Sequence, residues 1–535
     1  MLKHIRRLLA LVFFLGLNWL FLDFTGTAQH CVGWMAKLQF LPALLAFNWV
    51  VVIVLAAVTV LMGRIYCSVI CPLGIMQDVI SWISGKLKLD KNKRRFGRFS
   101  YENSKGLNIL RYTIFGLFVV CLFAGFGTFV QLLAPYSSFG RIVTMLLQPL
   151  FEMGNNLLAD QSEAAGTFDY YQVSVWMRSM PVLIVAAVTF LVIFVMAWID
   201  GRFYCNRLCP VGTLLGILSA KRVVGIDIKA DKCKSCRLCE RACKSSAIFI
   251  PNRDEKQKGL VPAVDSTRCV DCFNCIGTCQ HGALSFSRVS CPSSDAQLGA
   301  SKKSDAVSAS SNSNASAQDA GPTRRAFMTA TATVLGASFV SAQEKTTDGG
   351  LSVITGKKRP ERKQPICPPG AISLKNMQTK CTGCQLCVSE CPNDVLRPSN
   401  DLLHMMMPTS SYERGFCRPE CTRCSDVCPA GAIVKFPGND KERRAVKSST
   451  KIGTAHWIAE NCIVNTDEVS CGLCSRRCPT SAIKMVHSNP DDRRSLLIPT
   501  VDEERCIGCG ACENLCPARP FSAIYVEGID VQREI

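Results

Sequence analysis

Acidic residues are in short supply: 42 Asp and Glu stand against 61 Lys and Arg, leaving a formal net charge of +19. Such an excess suits nucleic acid or a membrane surface. No nucleic-acid-binding motif is present, however, and the basic residues crowd around hydrophobic stretches, so basic loops beside a bilayer are expected and a nucleic-acid partner is not. Also missing is the scatter of cysteines typical of a secreted disulfide scaffold. The 32 cysteines fall mostly in tight runs with gaps of two or three residues, a packing that suits a metal cluster better than pairwise bridges. The first apolar stretch lacks a clean small-residue cleavage site, and three more follow, so it reads as a retained helix. At 535 residues the chain should hold two to four structural units.

Four apolar stretches reach the length of about 20 residues that a spanning helix needs: Ile5 to Phe24, Phe40 to Met62, Leu107 to Val130 and Pro181 to Ile199. Lys3, Arg6 and Arg7 precede the first, and Lys86, Lys88, Lys91, Lys93, Arg94, Arg95 and Arg98 follow the second. The long loop between the third and fourth offers only Arg141 and Arg178. Positive charge collects on the inner side, which puts the N-terminus and the segment after the fourth span there. A repeat sits at the inner ends of spans two and four: Gly63-Arg64-Ile65-Tyr66-Cys67 then Cys71-Pro72-Leu73-Gly74, and Gly201-Arg202-Phe203-Tyr204-Cys205 then Cys209-Pro210-Val211-Gly212. On a continuous helix, cysteines four apart share a face. Cys67, Cys71, Cys205 and Cys209 would then converge as an additional redox or metal site. The alternative is a helix-ending motif in which Pro closes the turn.

Past the fourth span, Cys233, Cys236, Cys239 and Cys243 repeat as Cys269, Cys272, Cys275 and Cys279. This is two-cluster ferredoxin spacing, in which three cysteines of a run and the fourth of its partner hold each cubane. Cys233, Cys236, Cys239 and Cys279 form one expected set, and Cys269, Cys272, Cys275 and Cys243 the other. Lys244 and Gln280 stand where proline usually follows the fourth cysteine. Zinc, the competing occupant, is ordinarily held by separated knuckles.

Residues 291–322 are rich in Ser, Ala, Asn and Asp and read as a flexible linker. Thr323-Arg324-Arg325-Ala326-Phe327-Met328 and the apolar stretch to Ala342 then resemble a twin-arginine export signal placed within the chain, with Val340-Ser341-Ala342 as a cleavage-like site. That route carries folded cargo, as a cluster-loaded domain requires. Lys357, Lys358, Arg359, Arg362 and Lys363 would lie outside, against the positive-inside tendency. Four more runs follow: Cys381, Cys384, Cys387 and Cys391; Cys417, Cys421, Cys424 and Cys428; Cys462, Cys471, Cys474 and Cys478; Cys506, Cys509, Cys512 and Cys516. Each ends in Cys-Pro, and the second and third are stretched at the first gap. Four further cubanes are expected, with the pairing of runs left open. Cys31, Cys121, Cys291 and Cys367 fit no motif and read as structural thiols.

With these features, residues 1 to about 290 resemble the membrane subunit of the periplasmic nitrate reductase quinol dehydrogenase, and residues from about 323 resemble its exported four-cluster ferredoxin partner. The chain looks like a fusion of the two. The resemblance implies an electron-transfer component of quinol dehydrogenase type, multi-pass in a bacterial inner membrane. It would draw on the membrane quinone pool, with quinol as donor, and deliver electrons through six [4Fe–4S] clusters to a periplasmic cytochrome or reductase. A relay fed by a cytoplasmic reductant, and a redox-sensing or maturation factor for a periplasmic metalloenzyme, are the competing functions. The expected architecture is an α-helical membrane bundle of four spans plus a signal-anchor fifth, joined to α+β ferredoxin-like domains. Its divisions are 1–220 (membrane), 221–290 (cytoplasmic two-cluster ferredoxin), 291–322 (linker), 323–343 (signal) and 344–535 (periplasmic four-cluster domain). Asp23 and His30, near the outer end of the first span, are candidate proton acceptors for quinol, or simply interfacial polar residues.

Overall fold

The computed structural model describes residues 2–86, 108–167, 169–251, 261–288, 347–348, 352–353, 356–401 and 404–535. The linker, the twin-arginine element, Cys291 and the basic stretch from Lys88 to Arg98 lie outside the described residues.

Among the described residues, two helices are long and apolar enough to cross a bilayer, α1 (Leu2–Leu22) and α11 (Met180–Asp200). The other two apolar stretches are each divided into two helices. The second divides into α3 (Phe40–Leu45) and α4 (Trp49–Met62), because Phe47 turns into the left-handed region and Asn48 caps α4 by accepting from the Val51 amide. The third divides into α7 (Asn108–Ala124) and α8 (Gly127–Leu133) at Gly125, whose φ of +80° suits a residue without a Cβ. Between these lie α2 (Thr27–Lys37), α5 (Tyr66–Val69) and α6 (Pro72–Lys86). After α8 come α9 (Pro135–Ile142), a π-turn and α10 (Gln148–Ala164). Beyond α11 follow α12 (Phe203–Arg207) and α13 (Pro210–Leu218). Leu17, Leu20, Phe21, Leu73, Phe139, Ile193 and Leu215 fill the helical core. Outward, α1, α4, α7 and α11 present Leu8, Val50, Ile53, Ile109, Phe123 and Leu191, each more than half exposed.

The first ferredoxin module pairs β1 (Val224–Ile228) with β4 (Leu284–Arg288), and β2 (Ile248–Phe249) with β3 (Ala263–Val264), all antiparallel. A short β5–β6 pair (Thr347–Asp348, Ser352–Val353) precedes the second module. That module joins β7 (Leu396–Pro398) to β8 (Pro408–Ser410), β10 (Ile483–His487) to β11 (Leu497–Val501), and β9 (Thr450–Trp457) to the long β12 (Ile524–Glu534).

The two modules dock at opposite ends of the helices. At the C-terminal ends of α4 and α11, the Val223 amide donates to the Val60 carbonyl and the Arg202 amide to the Lys244 carbonyl. At the other end, Arg423 donates to the Thr25 carbonyl, Ser179 to Asn400 Oδ1 and Gln131 to the Cys381 carbonyl, while Arg397 and Arg414 stack on Trp176.

Candidate iron–sulfur sites

The plain C-x2-C-x2-C runs share one local conformation. Both residues flanking the second cysteine are left-handed: Ser235 and Arg237, Asp271 and Phe273, Gly383 and Gln385, Gly508 and Gly510. Two such residues curl the loop into a bowl with its thiols facing inward. In the stretched runs, the residues beside Cys421 and Cys471 are not left-handed, since the longer first gap relieves the bend.

Three cavities lie among these thiols. One of about 300 Å³ is lined by Cys269, Cys272, Cys275 and Cys243. A second, about 350 Å³, is lined by Cys381, Cys384, Cys387 and Cys428. The third, about 370 Å³, is lined by Cys417, Cys421, Cys424 and Cys391. Each takes three thiols from one run and the fourth from its partner, so runs one and two of the second module pair by exchange. In the remaining pair, Cys478 is within electrostatic reach of Cys506 and Cys509, and Cys516 of Cys474. Cys233 and Cys236 surround Cys239, and Cys279 packs in the same apolar cluster. Backbone amides donate to the fourth-cysteine sulfurs: Ala247 to Cys243, Ile433 to Cys428, Ala482 to Cys478 and Ala523 to Cys516, at 3.3–3.5 Å. Such bonds favour the thiolate and tune reduction potential.

The donor chemistry fits an iron–sulfur cubane. No described cysteine is in a disulfide, and no three His, Cys, Asp or Glu side chains among the described residues converge tightly enough for a single ion. The thiols line cavities instead. Burial pushes Cys239 and Cys474 up to about 11 and Cys509 up to about 12. Thiols so buried become thiolates only beside strong positive charge, which iron supplies. Behind run four, Arg362 pairs with Glu513 at 2.5 Å, both side chains 2% exposed, and Glu513 also accepts from the Val526 amide.

In the helical domain, Cys67, Cys71, Cys205 and Cys209 come together, but not on continuous helices as the spacing suggested. Cys67 sits in the one-turn helix α5, Cys71 at the break after it, and Pro72 begins α6. Likewise Cys205 sits in α12, Cys209 caps α13 and Pro210 begins it. Proline thus starts a helix rather than ending one, in keeping with its fixed φ. The fold-back is tight: a Cβ on Gly74 would meet the Cys67 carbonyl oxygen at 2.3 Å, and one on Gly212 the Cys205 carbonyl oxygen at 2.3 Å. The repeats also cross-brace. Arg64 donates to the Gly212 carbonyl and Arg202 to the Cys67 carbonyl, each at 2.8 Å.

Asp23 is a turn residue, accepting from the Thr25 amide and hydroxyl and the Ala28 amide, and His30 is exposed. Cys31 is exposed, Cys121 half-buried and Cys367 buried. Sequence reasoning missed Asp78, which binds Arg202 through both carboxylate oxygens (3.0 and 2.7 Å), Arg6 at 3.0 Å and Lys244 at 3.8 Å. The lysine in place of the ferredoxin proline was the available signal, because its side chain reaches Asp78 at 3.8 Å from the first module.

Cavities lined by exchanged thiol sets, repeated along the chain, define a multi-cluster ferredoxin-type electron-transfer protein. A 4Fe-4S binding domain model matches residues 44–90 and 182–228, and 4Fe-4S dicluster domain models match 232–283, 380–433 and 469–519. The methylamine utilization ferredoxin-type protein MauM of Methylophilus methylotrophus is 32% identical over 183 residues, 31% of this chain and 76% of the relative. MauM of Methylobacillus flagellatus is 33% identical over 156 residues, 28% of this chain and 62% of the relative. The ferredoxin-type protein NapG of Escherichia coli is 30% identical over 159 residues, 28% and 64%. The chain belongs to this MauM and NapG family of ferredoxin-type proteins, and it spans about two thirds of the length of the relatives it matches.

Proposed function

We propose that the protein carries electrons across a bacterial inner membrane, from quinol to an exported acceptor, through six [4Fe–4S] clusters held by the six cysteine runs. The observation that carries this reading is the docking of two ferredoxin modules at opposite ends of a helical domain with apolar outer faces. When bound, each cluster takes up or releases one electron, so a quinol oxidised to quinone with loss of two protons delivers its two electrons in separate steps. Residues of the chain order the path. In the second module, Cys381, Cys384 and Cys387 face the helical domain through Gln131 and Ser137. Cys391 and Cys417 are neighbours, and the Cys417 amide donates to the Cys509 carbonyl. Cys474 in turn lies near Cys512. The sites therefore run in file from the helices to the far edge of the module.

The first module and the N-terminus would lie in the cytoplasm and the second module in the periplasm, exported by the internal twin-arginine element. Oxidation of added quinol by isolated membranes tests the reading: menadiol or duroquinol should bleach the cluster absorption, and clusters left oxidised would defeat it. A C-terminal tag cleaved by protease in spheroplasts is the expected topological result. A second reading has one observation in its favour. Cys236 is exposed and Cys233 half-buried, which suits entry of electrons from a soluble reductant at the first module.

A further inference from the structure

We propose that Lys447 is a potential-setting residue: its ammonium donates to the Cys417 sulfur and raises the reduction potential of the cluster held by Cys417, Cys421, Cys424 and Cys391, so that electrons collect at the second site of the file. The inference rests on the reading that this cavity holds a cubane, and it adds a residue that lies outside every cysteine run.

The lysine is delivered by a helix, Asp440–Ser449, that is fixed at both ends. Asn439 and Glu442 close a reciprocal capping box at its start, and the Thr450 amide and hydroxyl donate to the Lys447 and Val446 carbonyls at its end. Arg443 and Lys447, four apart, share its buried face. Their partners differ. Arg443 pairs with two carboxylates, those of Asp426 and Asp440. Lys447 is 4% exposed and donates to the Cys417 sulfur at 3.3 Å and to the Arg418 carbonyl. Among the described residues it has no carboxylate at ion-pair distance.

Charge explains the pairing with sulfur. A buried ammonium needs an anion close by. A neutral thiol supplies none, and neither does a carbonyl. Four thiolates around an iron–sulfur core carry net negative charge, and reduction adds one more. The cation therefore favours the reduced form over the oxidised form, which raises the potential, and hydrogen bonds to the sulfurs act in the same direction. Cys424 also lies in the field of Lys447, so the charge acts on the site as a whole.

The neighbouring sites are served differently. Backbone amides donate to the sulfurs of Cys381, Cys428, Cys478 and Cys516. Lys451 donates to the Glu503 carbonyl, and Lys357 to the carbonyls of Glu513, Asn514 and Cys516. Among the described residues of the second module, Lys447 is the one charged side chain bonded to a cysteine sulfur. Its site also stands in the middle of the path: Cys391 belongs to the run nearest the helices, and the Cys417 amide reaches the Cys509 carbonyl. An electron gained there is one lost by a neighbouring cluster, and Lys447 keeps its protons throughout.

The test uses the full-length protein, purified without oxygen in detergent, and reads iron content and reduction potentials by EPR-monitored titration. In Lys447→Met one component should become at least tenfold harder to reduce, a downward shift of about 59 mV or more for one electron, while the other components hold. Lys447→Arg, which keeps the charge, should shift less than half as far. Lys441→Met removes an exposed charge from the same helix and should shift nothing. An unmoved potential in Lys447→Met, or an equal shift in either control, would overturn the proposal. A second measurement needs no variant: with isotope-labelled lysine, pulsed EPR of the reduced, unaltered protein should show a lysine nitrogen coupled to a cluster. Absence of that coupling would overturn the proposal even where Lys447→Met does not fold. Iron well short of six cubanes would defeat the underlying cluster reading as well, whereas full iron with unmoved potentials defeats this inference alone.

Discussion

Asp78→Asn is the perturbation with the clearest expected outcome. The carboxylate is the only anion paired with Arg6, Arg202 and Lys244 among the described residues, and Arg202 is 1% exposed. The amide keeps the shape but leaves three cations facing one another. Removing one partner of a buried charge network costs about 3–5 kcal/mol. At the lower bound, about 3 kcal/mol, the ratio of docked to undocked first module falls by about a hundredfold. Hydrogen–deuterium exchange with mass spectrometry reads this directly at the Arg202 amide, which donates to the Lys244 carbonyl, and through residues 243–246. Exchange there should accelerate by about a hundredfold, while β9 and β12 in the second module stay unchanged. Arg6→Gln removes one of the three cations but leaves Asp78 two partners, and should change exchange less than Asp78→Asn does. Exchange in Asp78→Asn within a few-fold of the parent would refute the idea that this cluster of charges holds the module in place.

Three further outcomes are expected. Gly74→Ala or Gly212→Ala sets a Cβ 2.3 Å from a backbone oxygen that cannot rotate away; either should cost about 1–3 kcal/mol, read as earlier loss of the monodisperse peak on heating in detergent, whereas Gly154→Ala, which meets nothing, should be silent. Glu513→Ala strands Arg362 and the Val526 amide in the second module and should cost about 3–5 kcal/mol, read as lower-temperature loss of the visible cluster absorption. Stripping iron with a chelator under oxidising conditions should unfold both modules, because their interiors are thiol-lined cavities and metal binding is coupled to folding; circular dichroism should fall with iron content, and a fold retained without iron would contradict this.

The cysteine runs were legible because their geometry is local. Three thiols within seven residues leave little choice of loop, and the grouping of Cys243 with Cys269, Cys272 and Cys275 follows from spacing alone. Pairing in the second module was not legible, since all four runs end alike in Cys-Pro and only tertiary packing brings Cys428 to Cys381. The division of two apolar stretches was hidden for another reason. Phe47 and Gly125 interrupt the backbone without interrupting the apolar run, so hydropathy reads across them. The C-x-x-x-C-P cysteines could be read either as converging on a straight helix or as closing one, whereas Pro72 and Pro210 each begin a new helix. Asp78 carried no signal of its own, because one acid in a helix is ordinary until its three partners arrive from residues 6, 202 and 244.

The cross-bracing of the two repeats has a bearing on biogenesis. Every oxygen that Arg64 grips belongs to residues between 206 and 269. When the ribosome has made the first repeat, none of those partners exists. Arg64 can therefore make these bonds only once the second half and the first ferredoxin module have emerged. The last of these braces closes only when Cys269 is in place.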